Sequence, residues 1–272
     1  MTFEPMLNIE IPAPQHESFF LPGTNPICIV LIPGWSETPS YMMPMAYYLN
    51  SFGYSIYVAK HPTYTTGMRW QDWWHAVWLG IVQLKKRGVH QLYLVGHSMG
   101  GLFALLATTL HKHLFSNGVK VVGTVAICPP FYIRKDLRLL TEAVRVTTLD
   151  RRAAKALDQL HATIHFDPDE TYFSRYRGSK PNRPIGSIFE LIHAIRFSRY
   201  QLKKTTFDVP ALVIFANDDT IVDNNYSSRF AKRLGTQVYH LNGRHSVILD
   251  TSCRQICQEI HFFIHKNRQN NG

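Results

Sequence analysis

The sequence predicts an α/β fold: a mostly parallel central sheet flanked by helices, with a helical segment inserted over the sheet edge. Three observations carry this. Short apolar runs alternate with helical periodicities, an order that builds a parallel sheet covered on both faces. Runs such as Ile27–Ile32 and Ala211–Ala216 are apolar without interruption, as strands buried on both faces are. The rhythm then breaks between residues 131 and 205, where helical patterns appear without a convincing strand. A chain of 272 residues is long enough for one large core with an inserted subdomain. We therefore expect a core from residues 1–130 and 206–272, and a helical cap from 131–205.

The elements follow in order. Ile27–Ile32 is the first core strand, ended by Pro33-Gly34. A helix is expected over Ser40–Asn50, then a strand over Tyr54–Val58. Residues Arg69 to Lys86 carry Trp70, Trp73, Val77, Ile81 and Leu84 at spacings of three and four, an amphipathic helix. Leu92–Val95 reads as a buried strand and Gly101–Ala107 as a buried helix. Val121–Ile127 is a further strand, stopped by Pro129-Pro130. Inside the insertion, Arg151–His161 reads as a helix behind a cap at Asp150, and Ile185–Leu202 is amphipathic. Asp167–Asp169 and Gly178–Pro184 read as loops. The strands Ala211–Ala216 and Gln237–Leu241 enclose a helix near Asn225–Leu234. The last helix runs over Thr251–His265, with Lys266–Gly272 as a frayed tail.

Between the Leu92–Val95 strand and its helix lies Gly96-His97-Ser98-Met99-Gly100, a match to G-x-S-x-G. The letters alone are weak evidence. Between a strand and a helix they mark a sharp turn that lifts a serine hydroxyl to the C-terminal end of the sheet, at a helix N-terminus. A hydroxyl is a poor nucleophile unless a base takes its proton and an acid orients that base. The loop after Ala211–Ala216 offers Asp219, with Asp218 as its neighbouring alternative, while Asp223 reads as a helix cap. The loop after Gln237–Leu241 offers His245, whereas His240 lies inside the strand and reads as structural. His97 reads as packing. The backbone N–H of Met99, after the nucleophile, and that of Trp35, in the loop Pro33–Ser36, are the expected oxyanion donors.

Composition narrows the class. The net charge is +10, and residues 131–205 hold 15 basic and 8 acidic side chains, a net of +7. No basic motif interleaved with aromatics accompanies this charge, so we read a solvated face and expect no nucleic-acid partner. Anionic substrates remain compatible with it. No stretch approaches the ~20 apolar residues of a membrane span, so no stable membrane insertion is expected. The start, Met1-Thr2-Phe3-Glu4-Pro5, lacks a basic then apolar leader, from which a cytoplasmic protein with reduced thiols is expected. Cys28 and Cys128, in or beside strands, read as small buried side chains. Cys253, Cys257, His261 and His265 recur every four residues, a metal-compatible spacing, but Ile256, Ile260 and Ile264 share that face, so packing is the reading and no metal or other cofactor is expected.

Taken together, Leu31-Ile32-Pro33-Gly34-Trp35, Trp70-Gln71-Asp72-Trp73-Trp74, Gly96–Gly100, Asp219–Val222 and His245–Asp250 resemble the serine α/β-hydrolases of the carboxylesterase and monoacylglycerol-lipase group, most of all compact bacterial carboxylesterases with a small helical cap. The resemblance covers most of residues 27–130 and 206–264. It implies the α/β-hydrolase fold, a Ser98–Asp219–His245 triad, and an oxyanion hole from Trp35 and Met99. Pro33 departs from the histidine usual before that glycine, which bears on how the loop is held. The expected activity is cofactor-free hydrolysis of short- to medium-chain acyl esters or monoacylglycerols through an acyl-enzyme, on a small-molecule ester substrate, by a monomer or homodimer. Trp35, Phe131, Tyr132 and Ile188 are the candidate substrate-binding residues. The alternatives are a thioesterase or small-peptide hydrolase using the same triad, or a ligand-binding receptor on this fold.

Overall fold

A computed structural model describes residues 9–65, 67–114, 118–135, 174–177 and 185–269. Seven strands form one sheet: β1 (Phe19–Leu21), β2 (Ile27–Ile32), β3 (Ser55–Val58), β4 (Gln91–His97), β5 (Lys120–Ile127), β6 (Ala211–Ala216) and β7 (Gln237–Leu241), in the order β1-β3-β2-β4-β5-β6-β7. Only β1 runs antiparallel, paired through Phe19–Leu21 to Val58–Ile56; all other pairs are parallel. This edge strand was not expected. Three residues are too few to show the alternation that marks a strand in sequence.

The apolar runs alternate between the two faces of the sheet. In β2, Ile27, Ile29 and Leu31 join one buried cluster, while Cys28, Val30 and Ile32 join another. The first face is covered by α1 (Pro39–Ser51) and α6 (Ser252–Gln269). The second is covered by α2 (Trp70–Leu84) and α3 (Met99–Leu114), and its far end by α5 (Asn224–Arg233). The α6 helix buries Cys253, Ile256, Cys257, Ile260, Phe263 and Ile264 along one stripe, so both of its cysteines belong to the packing face. Helix continues through Lys266 to Gln269 rather than fraying there. Asn267 donates to the Phe263 carbonyl at 2.7 Å, one turn back.

Between β5 and β6 the chain carries the insertion. Its described part is helical: α4 (Ile185–Leu202), in register with expectation, packs on α2 and α3. A short 3-10 turn spans Ser174–Arg177. The expected helix Arg151–His161 and the loops Asp167–Asp169 and Gly178–Pro184 lie outside the described residues. Ile133 makes a single antiparallel bridge with Val222, which ties the start of the insertion to the loop after β6.

The strand order positions the site. From β2 the chain steps to β3 on one side, then returns to β4 on the other. Such a reversal leaves a crevice at the carboxyl ends of the two strands, the usual place for a ligand in an open α/β sheet. The loops leaving β2 and β4 carry Trp35 and Ser98.

Candidate active site

Three loops and one elbow meet at the carboxyl ends of β2, β4, β6 and β7. Ser98 stands between β4 and α3 with φ of 52°, the left-handed region that a non-glycine residue adopts at a cost. Its amide donates to the Ile127 carbonyl at 2.8 Å, and its carbonyl accepts from Gly101 at 2.9 Å, so both sides of the bend are tied. Glycine is needed on either side. A Cβ at Gly96 would lie 2.0 Å from the Gly100 carbonyl oxygen, and one at Gly100 would lie 2.1 Å from that of Ile32.

Ser98 is partly exposed, and its Oγ lies 2.9 Å from Nε2 of His245. Nδ1 of His245 lies 2.8 Å from Oδ2 of Asp219. The other carboxylate oxygen of Asp219 accepts from the amides of Ile221 and Val222, both at 2.8 Å. Burial works against charge on Asp219. The adjoining His245 and the two amides outweigh it and hold the carboxyl below its ordinary 3.8. Asp218 is exposed and ties its amide to the Gly243 carbonyl, so the structure brings Asp219 and not Asp218 to the imidazole. Asp223 caps α5 by accepting from the Tyr226 amide at 3.2 Å. His240 faces Ser228 at 3.3 Å, away from these groups.

The loop after β2 is held from two directions. The Pro33 carbonyl is 2.7 Å from Nε2 of His61, and the Gly34 amide donates to the Glu37 carboxylate. With proline in place of the usual histidine, His61 and Glu37 supply the anchorage. Ser36 in this loop has φ of 59°. Trp35 and Met99 share one buried cluster with Ile188. Phe131 is taken up by the core, its ring 4.9 Å from that of Phe230. Tyr132 is partly buried beneath the guanidinium of Arg199, 4.6 Å from its ring centre.

His97 is not mere packing. Its Nδ1 lies 2.9 Å from Oε1 of Glu37 and its Nε2 lies 2.8 Å from the backbone carbonyl oxygen of His245. Sequence reasoning missed Glu37, His61 and His97. The only available signal was a histidine fixed beside the elbow in a chain with a glutamate three residues after the oxyanion-loop glycine.

The sulfur in the site requires a correction. Cys128 is not merely a packed side chain beside a strand. One ligand-capable atom from each of Cys128, Asp219 and His245 lies within 4.8 Å of the others, and all three residues are buried. Cys128 follows β5 directly and has φ of 47°, so Ser36, Ser98 and Cys128, the three non-glycine residues with positive φ among the described residues, all lie at this end of the sheet. The His245–Asp219 pair therefore faces a sulfur as well as an oxygen. The description of a serine esterase, which set one hydroxyl alone against the base, is overturned in that form. The two groups differ in setting: Ser98 forms the elbow and is partly exposed, whereas Cys128 lies at the neighbouring strand end and is fully buried.

Beside Asp219 opens a cavity of about 770 Å³, bordered by Arg134, Lys135, Asn217, Asp223 and Asn224. Among the described residues no helix is long and apolar enough to cross a membrane. That fact does not assign a compartment, and the cytoplasmic placement goes no further than the sequence expectation.

A family model described as alpha/beta hydrolase fold matches residues 27–251. Among solved structures, one from work on LipS and LipT, two metagenome-derived lipolytic enzymes, superposes with a TM-score of 0.67 at 19% identity, covering 93% of this chain and 99% of the other. A soluble variant of monoglyceride lipase from Saccharomyces cerevisiae gives 0.67 at 18%, covering 97% and 99%. An E-2-(acetamidomethylene)succinate hydrolase gives 0.60 at 16%, covering 90% and 93%. Identities this low speak for the fold alone. The narrower kinship with compact bacterial carboxylesterases is therefore withdrawn, since lipolytic and other hydrolases resemble this chain at similar levels.

Proposed function

Because the chain belongs to the alpha/beta hydrolase fold family, we propose that it hydrolyses the acyl bond of a small thioester or ester. The observation that carries this is the line of hydrogen bonds from Asp219 through His245 to Ser98, at 2.8 and 2.9 Å. In this reading Ser98 Oγ attacks the acyl carbon as its proton passes to Nε2 of His245. Asp219 stabilises the imidazolium. The bond to the leaving oxygen or sulfur breaks, and the leaving group takes the proton from His245. Water then gives a proton to the same imidazole and adds to the acyl carbon; the acyl–Oγ bond breaks, His245 returns the proton to Ser98 Oγ, and the acid is released. The Trp35 and Met99 amides are the proposed donors to the oxyanion, with Ile188 beside them and Trp35 and Tyr132 toward the substrate. The proposed division remains a core of 1–130 and 206–272 with a cap of 131–205.

The charge suits an anionic ester or thioester: Arg134 and Lys135 border the cavity beside Asp219, and the chain carries a net +10. A second reading, with Cys128 as the attacking atom, rests on its proximity to His245 and Asp219. It requires a fully buried thiol to reach the substrate and His245 to turn from Ser98.

Turnover of p-nitrophenyl butyrate and of a butyryl thioester tests both. The expected result is hydrolysis by the wild type, a loss of about 10⁴-fold or more in Ser98→Ala, and most activity kept in Cys128→Ala. Loss in Cys128→Ala with Ser98→Ala still active would move the attack to sulfur. An inert wild type across ester, thioester and amide substrates would overturn the function itself.

A further inference from the structure

We propose that Glu37 and His97 form a buried ion pair that positions the two halves of the reaction centre against each other, clamping the oxyanion loop to the backbone of His245. The inference rests on the acyl-hydrolase reading above. Glu37 uses both carboxylate oxygens: Oε2 accepts from the Gly34 amide, next to Trp35, and Oε1 faces Nδ1 of His97 at 2.9 Å. The second nitrogen of His97 reaches the His245 carbonyl oxygen at 2.8 Å. One continuous path therefore runs from the loop after β2 to the loop after β7, across β4 and beneath the elbow.

The chemistry of the partners fixes the state of the ring. A carbonyl oxygen only accepts, and an ionised carboxylate only accepts, so both ring nitrogens of His97 must donate. His97 is then an imidazolium. Its side chain is fully buried and that of Glu37 is 11% exposed, so the pair is held away from water. Burial alone would drive His97 toward neutrality; the Glu37 carboxylate and the His245 carbonyl outweigh this and raise its pKa above the ordinary 6.5. The titratable groups facing the ring are Glu37 from the loop after β2, Tyr41 from α1, and Asp219 and His245 from the loops after β6 and β7. Tyr41 stacks on it at 5.6 Å and 24°. The carboxylate lies close over the loop: a Cβ at Gly34 would come within 2.8 Å of it.

Neither residue touches the substrate in this reading. Both act through where they hold Gly34 and His245. Displacement of reacting groups by about 1 Å costs on the order of 10²-fold in rate. His97→Gln and Glu37→Gln should therefore lower kcat by about 10- to 100-fold with KM little changed, and Glu37→Asp should recover part of the loss. A purely structural role predicts instead a smaller folded fraction with unchanged kcat per folded molecule.

A second measurement needs no turnover. In protein carrying ¹⁵N-labelled histidine, both ring nitrogens of His97, assigned by comparison with His97→Gln, should stay protonated to higher pH than those of the exposed histidines. A His97 that loses its proton no later than those, or kcat unchanged in both Gln variants, would overturn the proposal. If the wild type hydrolyses no acyl substrate, the functional reading fails, while the nitrogen shifts still decide whether the ion pair exists.

Discussion

Asp219 shows how tightly a single side chain is specified in this site. Its carboxylate has one oxygen for the Ile221 and Val222 amides and the other for His245. All three partners donate, so the side chain must accept at both ends. In Asp219→Asn one end becomes an NH₂ group, which must face either His245 or the two amides as donor against donor. The expected result is a fall in kcat of about 10³- to 10⁴-fold with the fold retained, because the imidazole loses the partner that fixes its tautomer. Steady-state kinetics beside a far-ultraviolet circular dichroism spectrum checks this; a loss under tenfold would sink the assignment. At this scale Ser98, Asp219 and His245 were legible, because each sits where a strand end meets a loop with the right residue type. Cys128 was not, since a cysteine after an apolar run looks like any small core residue. Only the neighbour order β4-β5-β6 places its sulfur between the strand ends that bear Ser98 and Asp219. Glu37 and His97 were hidden for a related reason. Their roles come from the contacts of His97 with Glu37 and with residue 245, at sequence separations no local pattern reports.

The elements were legible wherever burial has a clear period. The strands Ile27–Ile32, Ala211–Ala216 and Gln237–Leu241 and the helix Ile185–Leu202 match their apolar runs and spacings. The β1 edge escaped notice because pairing with β3, not its own pattern, makes it a strand. Between elements, α3 comes close to the end of β2, and glycine is what allows it. A Cβ at Gly100 would meet the backbone oxygens of Ile32 and Pro33 at 2.1 and 2.4 Å. Backbone cannot rotate away as a side chain can, so Gly100→Ala must push α3 off the sheet. We expect it to destabilise the fold by about 3 kcal/mol, at the upper end of overpacking costs. Gly88→Ala is the control: its φ of 75° strains a side chain, but nothing lies within 4 Å. That variant should cost only about 1 to 2 kcal/mol, the usual left-handed penalty. Urea denaturation of both separates crowding from conformation; equal costs would show that the contact to β2 is not tight.

At the scale of the whole molecule, three buried groups near the site bear on how stability responds to pH, and their signs differ. Burial lowers the pKa of His61 below 6.5, despite its bond to the Pro33 carbonyl. A depressed group contributes fully above its unfolded value, and the contribution is lost as pH falls through the folded one. His61 therefore costs stability on the acid side of 6.5, and Asp219, held below 3.8, adds a further loss at lower pH. His97 has the opposite sign. Its pKa is raised, so its contribution is complete below 6.5 and disappears as pH rises through the higher folded value. The two histidines thus pull in opposite directions from the same starting point. From these two groups the melting temperature should be highest near pH 6.5 and fall on each side. Substitution separates the two limbs. His97→Gln should lessen the alkaline fall and leave the acid one, while His61→Gln should lessen the acid fall and leave the alkaline one. Melting curves of the three proteins from pH 4 to 9 provide the check. An alkaline limb that persists unchanged in His97→Gln would mean that the Glu37–His97 pair carries no charge in the folded protein, and the clamp beneath the elbow would lose its electrostatic basis.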